Sequence, residues 1–297
     1  YWDLANDRTL TLGSDLKILS GGLIANVASD ADVTGASIDG EGAIDFGDRQ
    51  GVLRGSAVGN SAHRTISVAL NAPIKGTRGL VFSGTPVVLN GNYVGIYNYS
   101  MNVPAAWTGP TVIANGVKLI ISDAVGAQAF PAGGDVHVIG GDHRGGASIR
   151  ITKSATFDQN FAISGGGVSG RGNNNTGPFH IGGGNVTLTF NGTTRFRDIV
   201  YFAHDGSAYV MKFVGKVSGA GLLDMRKGVL EFAGENDYQG SIMTSSSEGT
   251  LVVSGNGSLG SADVWVTKGA FKLNNLNGQT LANNITCTGT LTFVVAK

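Results

Sequence analysis

The chain has 297 residues, 41% of them hydrophobic, and 21 Lys and Arg balance 21 Asp and Glu to a net charge of zero. That apolar share fits an ordered chain with a sizeable core, and the absence of a charge run argues against a nucleic-acid partner. Glycine, at 48 residues against 6 prolines, shows no Gly-X-Y period, which excludes collagen and predicts many tight turns and short strands.

From the N-terminus, YWDLANDRTLTLGSDLKILSGGLIANV (1–27) predicts strands around Thr9–Leu12 and Leu16–Leu19, with Gly21-Gly22 as a turn. Tyr1 opens in mature-looking sequence without a charged n-region or an apolar h-region, so any export signal is expected to have been removed or never included. No stretch reaches the ~18 consecutive apolar residues of a membrane span. Low cysteine, low charge and abundant Asn, Thr, Ser and Gly lean toward an exported bacterial β-protein. Residues 30–48 scatter Asp30, Asp32, Asp39, Glu41, Asp45 and Asp48 without the ligand order of an EF-hand or of a calcium-binding nonapeptide, so they read as solvated turn carboxylates.

Strands are expected near 66–70, 80–82 and 86–89, and Asn90-Gly91 is a turn signal. The one aromatic-rich patch follows at 93–110, with Tyr93, Tyr97, Tyr99 and Trp107. Aromatic faces in a groove stack on sugar rings, so Tyr97, Tyr99 and Trp107 are the candidate glycan contacts, against the plainer reading that they cover the edge of a coil. Asn98-Tyr99-Ser100 fits a glycosylation sequon, which matters only in a eukaryotic secretory chain.

Residues 133–185 are the richest in glycine. Gly165-x-Gly167-x-x-Gly170 matches the dinucleotide pattern in letters, but RGNNNTG follows where the motif needs a helix N-terminus, so it is set aside. Alternation resumes over 186–216 and continues through 228–295, where Val229/Glu231, Leu251/Val253, Val264/Val266 and Phe271/Leu273 keep a period of two. Cys287, the single cysteine, sits at an alternating position and reads as a small buried core residue, with a reactive or intermolecular thiol as the alternative.

Chemistry leaves little trace. There is no G-x-S-x-G elbow and no H-E-x-x-H, and His63, His137, His143, His180 and His204 stand apart from one another. A pectin-type hydrolase needs clustered carboxylates; the nearest constellations are Asp142-His143-Arg144, His204-Asp205 and the acids of 39–48, each beside glycine turns and each read as exposed turn residues. No catalytic residue, cofactor or metal is assigned.

The chain repeats itself. TVIANGVKLIISDAVGAQAF (111–130) parallels 241–260, GDVHV (134–138) parallels 261–266, GASIRIT (146–152) parallels 269–275, and 157–167 parallels 281–290. Four matched pieces in one order point to coil stacked on coil. At roughly 20–25 residues per coil the chain makes about a dozen coils, a rod of about 60 Å at the strand spacing of ~4.8 Å. The fold expected is all-β, a right-handed parallel β-helix forming a single elongated domain over 1–297. Within it, 1–78 holds N-terminal coils, 79–214 a degraded repeat with aromatic and glycine-rich insertions, and 215–297 the best-matching repeat.

Gly228, Leu230, Phe232, Gly234, Asn236, Tyr238 and Gly240, followed by Gly249, Thr250 and Leu251, strongly resemble the autotransporter-associated β-strand repeat, whose cadence is G-x-L-x-L-x-G-x-N-x-Y-x-G and then G-T-L-x-V. Gly79, Val81 and Ser83-Gly84 look like the start of a degraded copy in which Trp107-Thr108-Gly109 replaces Tyr-x-Gly, after an insertion around 85–106. The resemblance implies a passenger-type parallel β-helix of a bacterial surface or secreted protein, with structural repeats that carry no catalytic residues. The expected function is therefore a non-enzymatic, extracellular or cell-surface stalk, matrix element or adhesin. Its expected partner is itself, stacked end to end in a fibre, or further repeats of a longer parent chain. The residues to FVVAK contain no series of amphipathic strands for an outer-membrane barrel. Two alternatives stand beside this reading: a carbohydrate-binding β-helix using Tyr97, Tyr99 and Trp107, and a β-helix polysaccharide lyase or glycoside hydrolase.

Overall fold

The structure is a computed structural model that describes residues 2–3, 8–27, 33–57, 64–84, 88–89, 92–93, 95–114, 116–140, 147–165, 177–182, 184–203, 209–255, 257–274 and 281–288. The fold is all-β, built from several parallel sheets. A nine-stranded first sheet runs Trp2–Asp3, Gly22–Val27, Gly51–Ala57, Leu80–Gly84, Thr111–Ile113, Asp135–Ile139, Asn160–Ser164, Thr194–Phe196, Val217–Gly219. A seven-stranded second sheet runs Thr9–Leu12, Val33–Gly40, Arg64–Leu70, Gly95–Met101, Val117–Ile121, Ser148–Ile151, Phe179–Ile181. Each strand of the second sheet follows its first-sheet counterpart in sequence, so the chain visits the sheets in turn, pass after pass.

A short third sheet, Leu16–Lys17, Ile44–Asp45, Ile74–Gly76 and Ala106–Trp107, completes the early passes. In later passes a second nine-stranded sheet takes over, with Ala155–Phe157, Val186–Phe190, Tyr209–Phe213 and the long strands Leu222–Phe232 and Ser241–Ser254. Among the described residues every strand pairing is parallel except the hairpin of Val88–Leu89 with Asn92–Tyr93, which flanks the predicted Asn90-Gly91 turn; residues 90 and 91 themselves lie outside the described residues. The expected insertion is shorter than 85–106, because Gly95–Met101 is a regular second-sheet strand. The passes also lack the uniform length expected of them. Leu222 pairs with Ser241 after a short circuit, whereas Phe161 pairs with Thr194 only after a much longer one that takes in the glycine-rich segment.

The internal repeat is realised as a repeat of pairings. Thr111–Ile113, Asp135–Ile139 and Asn160–Ser164 stack in order, and the matched 241–244, Asp263–Val266 and Ile285–Cys287 stack in the same order. Val117–Ile121 pairs with Ser148–Ile151 as 250–254 pairs with Ala270–Asn274.

Alternation places one side chain in two inward, and the inward rows merge into one core from Leu12 to Phe271. Along one face the in-register row Phe157, Phe190, Phe213, Phe232 is a stack of rings, with centroids 5.6, 4.9 and 5.8 Å apart. Burying each such ring is worth about 1.5–3 kcal/mol relative to exposure. Gly192, Gly215 and Gly234 follow three of these rings by two residues, and at each a Cβ would strike a backbone carbonyl one pass below. Cys287 departs from expectation: it aligns with inward Val266 but is exposed, because Ile285–Cys287 is the last strand of its sheet among the described residues.

Candidate functional site

With the inward rows filled by the core, any site has to lie on the outward rows and the connections. The three candidate glycan contacts face the wrong way. Tyr97, Tyr99 and Trp107 are 2%, 3% and 3% exposed, and Tyr97 and Tyr99 lie in the inward row with Met101. Phe82 meets Tyr99 at 5.5 Å and the edge of Trp107 at 6.4 Å, while Trp107 Nε1 donates to Thr111 Oγ1 at 3.1 Å. The ring of Tyr97 lies against Gly55 and Gly84, in-register glycines whose missing side chains leave it room. As packed, none of the three offers a face to a sugar, so the carbohydrate reading loses the residues it was built on.

The acidic segment is engaged in local structure. Asp39 accepts from Ser37 Oγ at 2.6 Å and from Asn71, and Asn71 in turn accepts from Asn102 Nδ2 at 2.7 Å, a ladder climbing from pass to pass. Asp45 Oδ1 accepts the Gly47 N–H at 2.8 Å. Asp30 and Asp32 lie outside the described residues, as do His63, Asp142, His143, Arg144, His204 and Asp205. Among the described residues no group of three or more His, Cys, Asp or Glu is placed to hold a metal ion.

Hydrogen bonds to the charged form hold three carboxyls below their usual range: Asp15 through Lys75 and the Ala43 N–H, Asp39 through Ser37 and Asn71, and Asp123 through Thr152 and Lys153. Burial pushes the hydroxyls of Tyr99, Tyr209 and Tyr238 upward. These shifts are structural in origin; each arises in a ladder or in the core.

Two outer features remain. A shallow depression of about 530 Å³ opens beside Trp107, Pro110, Pro131, Gly134 and Asp135; the Asp135 carboxylate accepts from Asn160 Nδ2 at 3.1 Å. The second is the outer face of the second sheet. Its longer approaches, 85–94, 141–146 and 166–176, all lead from a first-sheet strand into a second-sheet strand.

On that face Lys118, Arg150 and His180 point outward from consecutive strands, with Lys118 beside Ser148 and Ile120, Arg150 and His180 in one row. Ser148 is fully buried although it faces away from the core. Sequence reading passes over this cluster because its members lie on separate passes, far apart along the chain, and sit in ordinary alternating strands. The shared x-polar-x cadence of VKLII, SIRI and FHI is the signal that could have found it.

Comparison with family models, with curated proteins and with solved structures finds no match to this chain. Among the described residues no helix is long and apolar enough to cross a membrane.

Proposed function

We propose that the chain is a right-handed parallel β-helix that serves as a non-enzymatic structural or adhesive element on a bacterial surface or in a secreted filament. The observation that supports this most is the parallel register carried from pass to pass over one core from Leu12 to Phe271. A column of that kind offers flanks and ends instead of a cleft. The right hand follows from chirality, since crossovers between parallel strands of one sheet are right-handed in roughly 98% of cases.

The motif at 228–251 supports the same reading, because each marker has a packing duty. Gly228 has φ of 81°, Leu230 and Phe232 are wholly buried, and Tyr238 donates its buried hydroxyl to the Gly221 carbonyl. Asn236 accepts from the Val217 N–H at 2.6 Å and donates to the Ser258 carbonyl at 2.6 Å, tying three passes together. Markers that pack and cap in this way support reading the repeat as a structural one of the passenger type.

Self-association is the partner this reading favours. Ile285 is 37% exposed while standing in line with the inward Val264, so a further pass, from a second copy or a longer chain, would continue the core. Negative-stain microscopy and incubation with a panel of neutral and acidic polysaccharides test the proposal together. Rods about 60 Å long or multiples of that length, with no new reducing or unsaturated ends, are expected. Release of such ends above a heat-denatured control would overturn it.

A further inference from the structure

We infer that the outer face of the second sheet, where Val117–Ile121, Ser148–Ile151 and Phe179–Ile181 run side by side, binds an oxyanion, a sulfate or carboxylate group held by Arg150 and Ser148 and attracted by Lys118 and His180.

Alternation fixes which side chains face outward. In Val117–Ile121 the buried Val117, Leu119 and Ile121 face the core, so Lys118 and Ile120 face out. Register then sets Ser148 beside Lys118, Arg150 beside Ile120 and His180 beside Arg150. Strands lie ~4.8 Å apart, so His180 stands one strand from Arg150 in the same row, and Lys118 one strand from Ser148 in the neighbouring row. Two donors there are buried and make no hydrogen bond: the Ser148 hydroxyl and the Arg150 Nε–H. Native proteins leave few such groups, and two of them side by side on an outward face are accounted for by a water or an ion seated there. A donor set of hydroxyl and guanidinium selects the partner's sign, because neither an arginine nor a nearby lysine can accept from a cation.

The seat is shaped for the guanidinium. Gly182 lies against Arg150, and a Cβ there would stand 2.9 Å from Nε and 3.2 Å from Nη2. The carboxylate that follows Val117–Ile121, Asp123, is already engaged by Thr152 and by Lys153 Nζ at 3.3 Å. The guanidinium fork can meet two oxygens of a sulfate or of a carboxylate at once, and charge-assisted bonds of this kind are the strong ones. None of this depends on whether the column is a stalk, so the two readings fail separately.

Isothermal titration calorimetry on the full chain tests it, with sodium sulfate at constant ionic strength and with dextran sulfate as the polymer-borne form of the same group. The wild type is expected to bind sulfate saturably, with affinity about 10-fold weaker in Arg150→Gln. Ser148→Ala, which removes a hydroxyl that has no partner in the chain, is expected to fold at least as stably yet bind a few-fold more weakly. Lys75→Gln, whose partner is Asp15 elsewhere, is expected to leave binding unchanged. Dextran sulfate binding with the same dependence on Arg150, even where free sulfate is weak, supports a polymer-borne group. No binding of either probe by the wild type, or equal binding by wild type and both site variants, overturns the inference.

Discussion

The Tyr99 hydroxyl is buried and has no hydrogen-bond partner, a group whose desolvation costs about 1–3 kcal/mol. Tyr99→Phe is therefore expected to stabilise the chain by about 1 kcal/mol, read as a higher urea midpoint. Burial holds Tyr99, Tyr209 and Tyr238 protonated above the ordinary value of 10.0. Their folded values are raised, so the stability they contribute is complete below about pH 10 and is lost as pH climbs through and beyond it. Unfolding followed by circular dichroism from pH 8 to 12 should show a fall beginning near pH 10, with a smaller fall in Tyr99→Phe. The carboxyls behave oppositely: Asp15, Asp39 and Asp123 are depressed, and what they contribute is present above pH 4 and lost as pH falls below it. At this scale the sequence is half legible. Tyr97-x-Tyr99 declares one face by its spacing, but not which face; Gly55 and Gly84, on the first-sheet strands of two successive passes, are what open the interior to Tyr97, and such a pairing is invisible without register. Gly55→Ala is expected to cost about 1–3 kcal/mol by overpacking against that ring, measured as a lower urea midpoint.

Strands are easier to read than their connections. Thr9–Leu12, 80–82 and Asp263–Val266 fall where alternation puts them, since period two survives wherever one face meets a core. The phenylalanine stack has a written trace too, F-x-G at 190, 213 and 232, but that cadence crosses strand boundaries and so hides from a search for strands. The outward cluster of Lys118, Arg150 and His180 is the opposite case: nothing local marks it, and only pairing brings it together. Asn236 shows how a turn residue fixes an element's place, with its side chain bridging Val217 and Ser258. Asn236→Ala leaves a part-buried N–H and carbonyl unsatisfied and is expected to destabilise by about 1–3 kcal/mol, with faster amide exchange at Val217 than at Val112 in a distant pass.

For the molecule as a whole, what matters is that each pass rests on the one before, so that stability adds up along an axis and the proposed binding falls to the flanks. One outward row passes through Thr156, Thr189, Lys212, Glu231, Val252 and Lys272 in direct register. Spin labels at Thr156 paired with Glu231 or with Lys272, in a chain carrying Cys287→Ser, measure that stacking by pulsed electron resonance. At ~4.8 Å per strand the two backbone separations are predicted to be about 14 and 24 Å, the second exceeding the first by two equal steps. Separations that fail to grow from Glu231 to Lys272, as in a sandwich or a closed barrel, would contradict the stack.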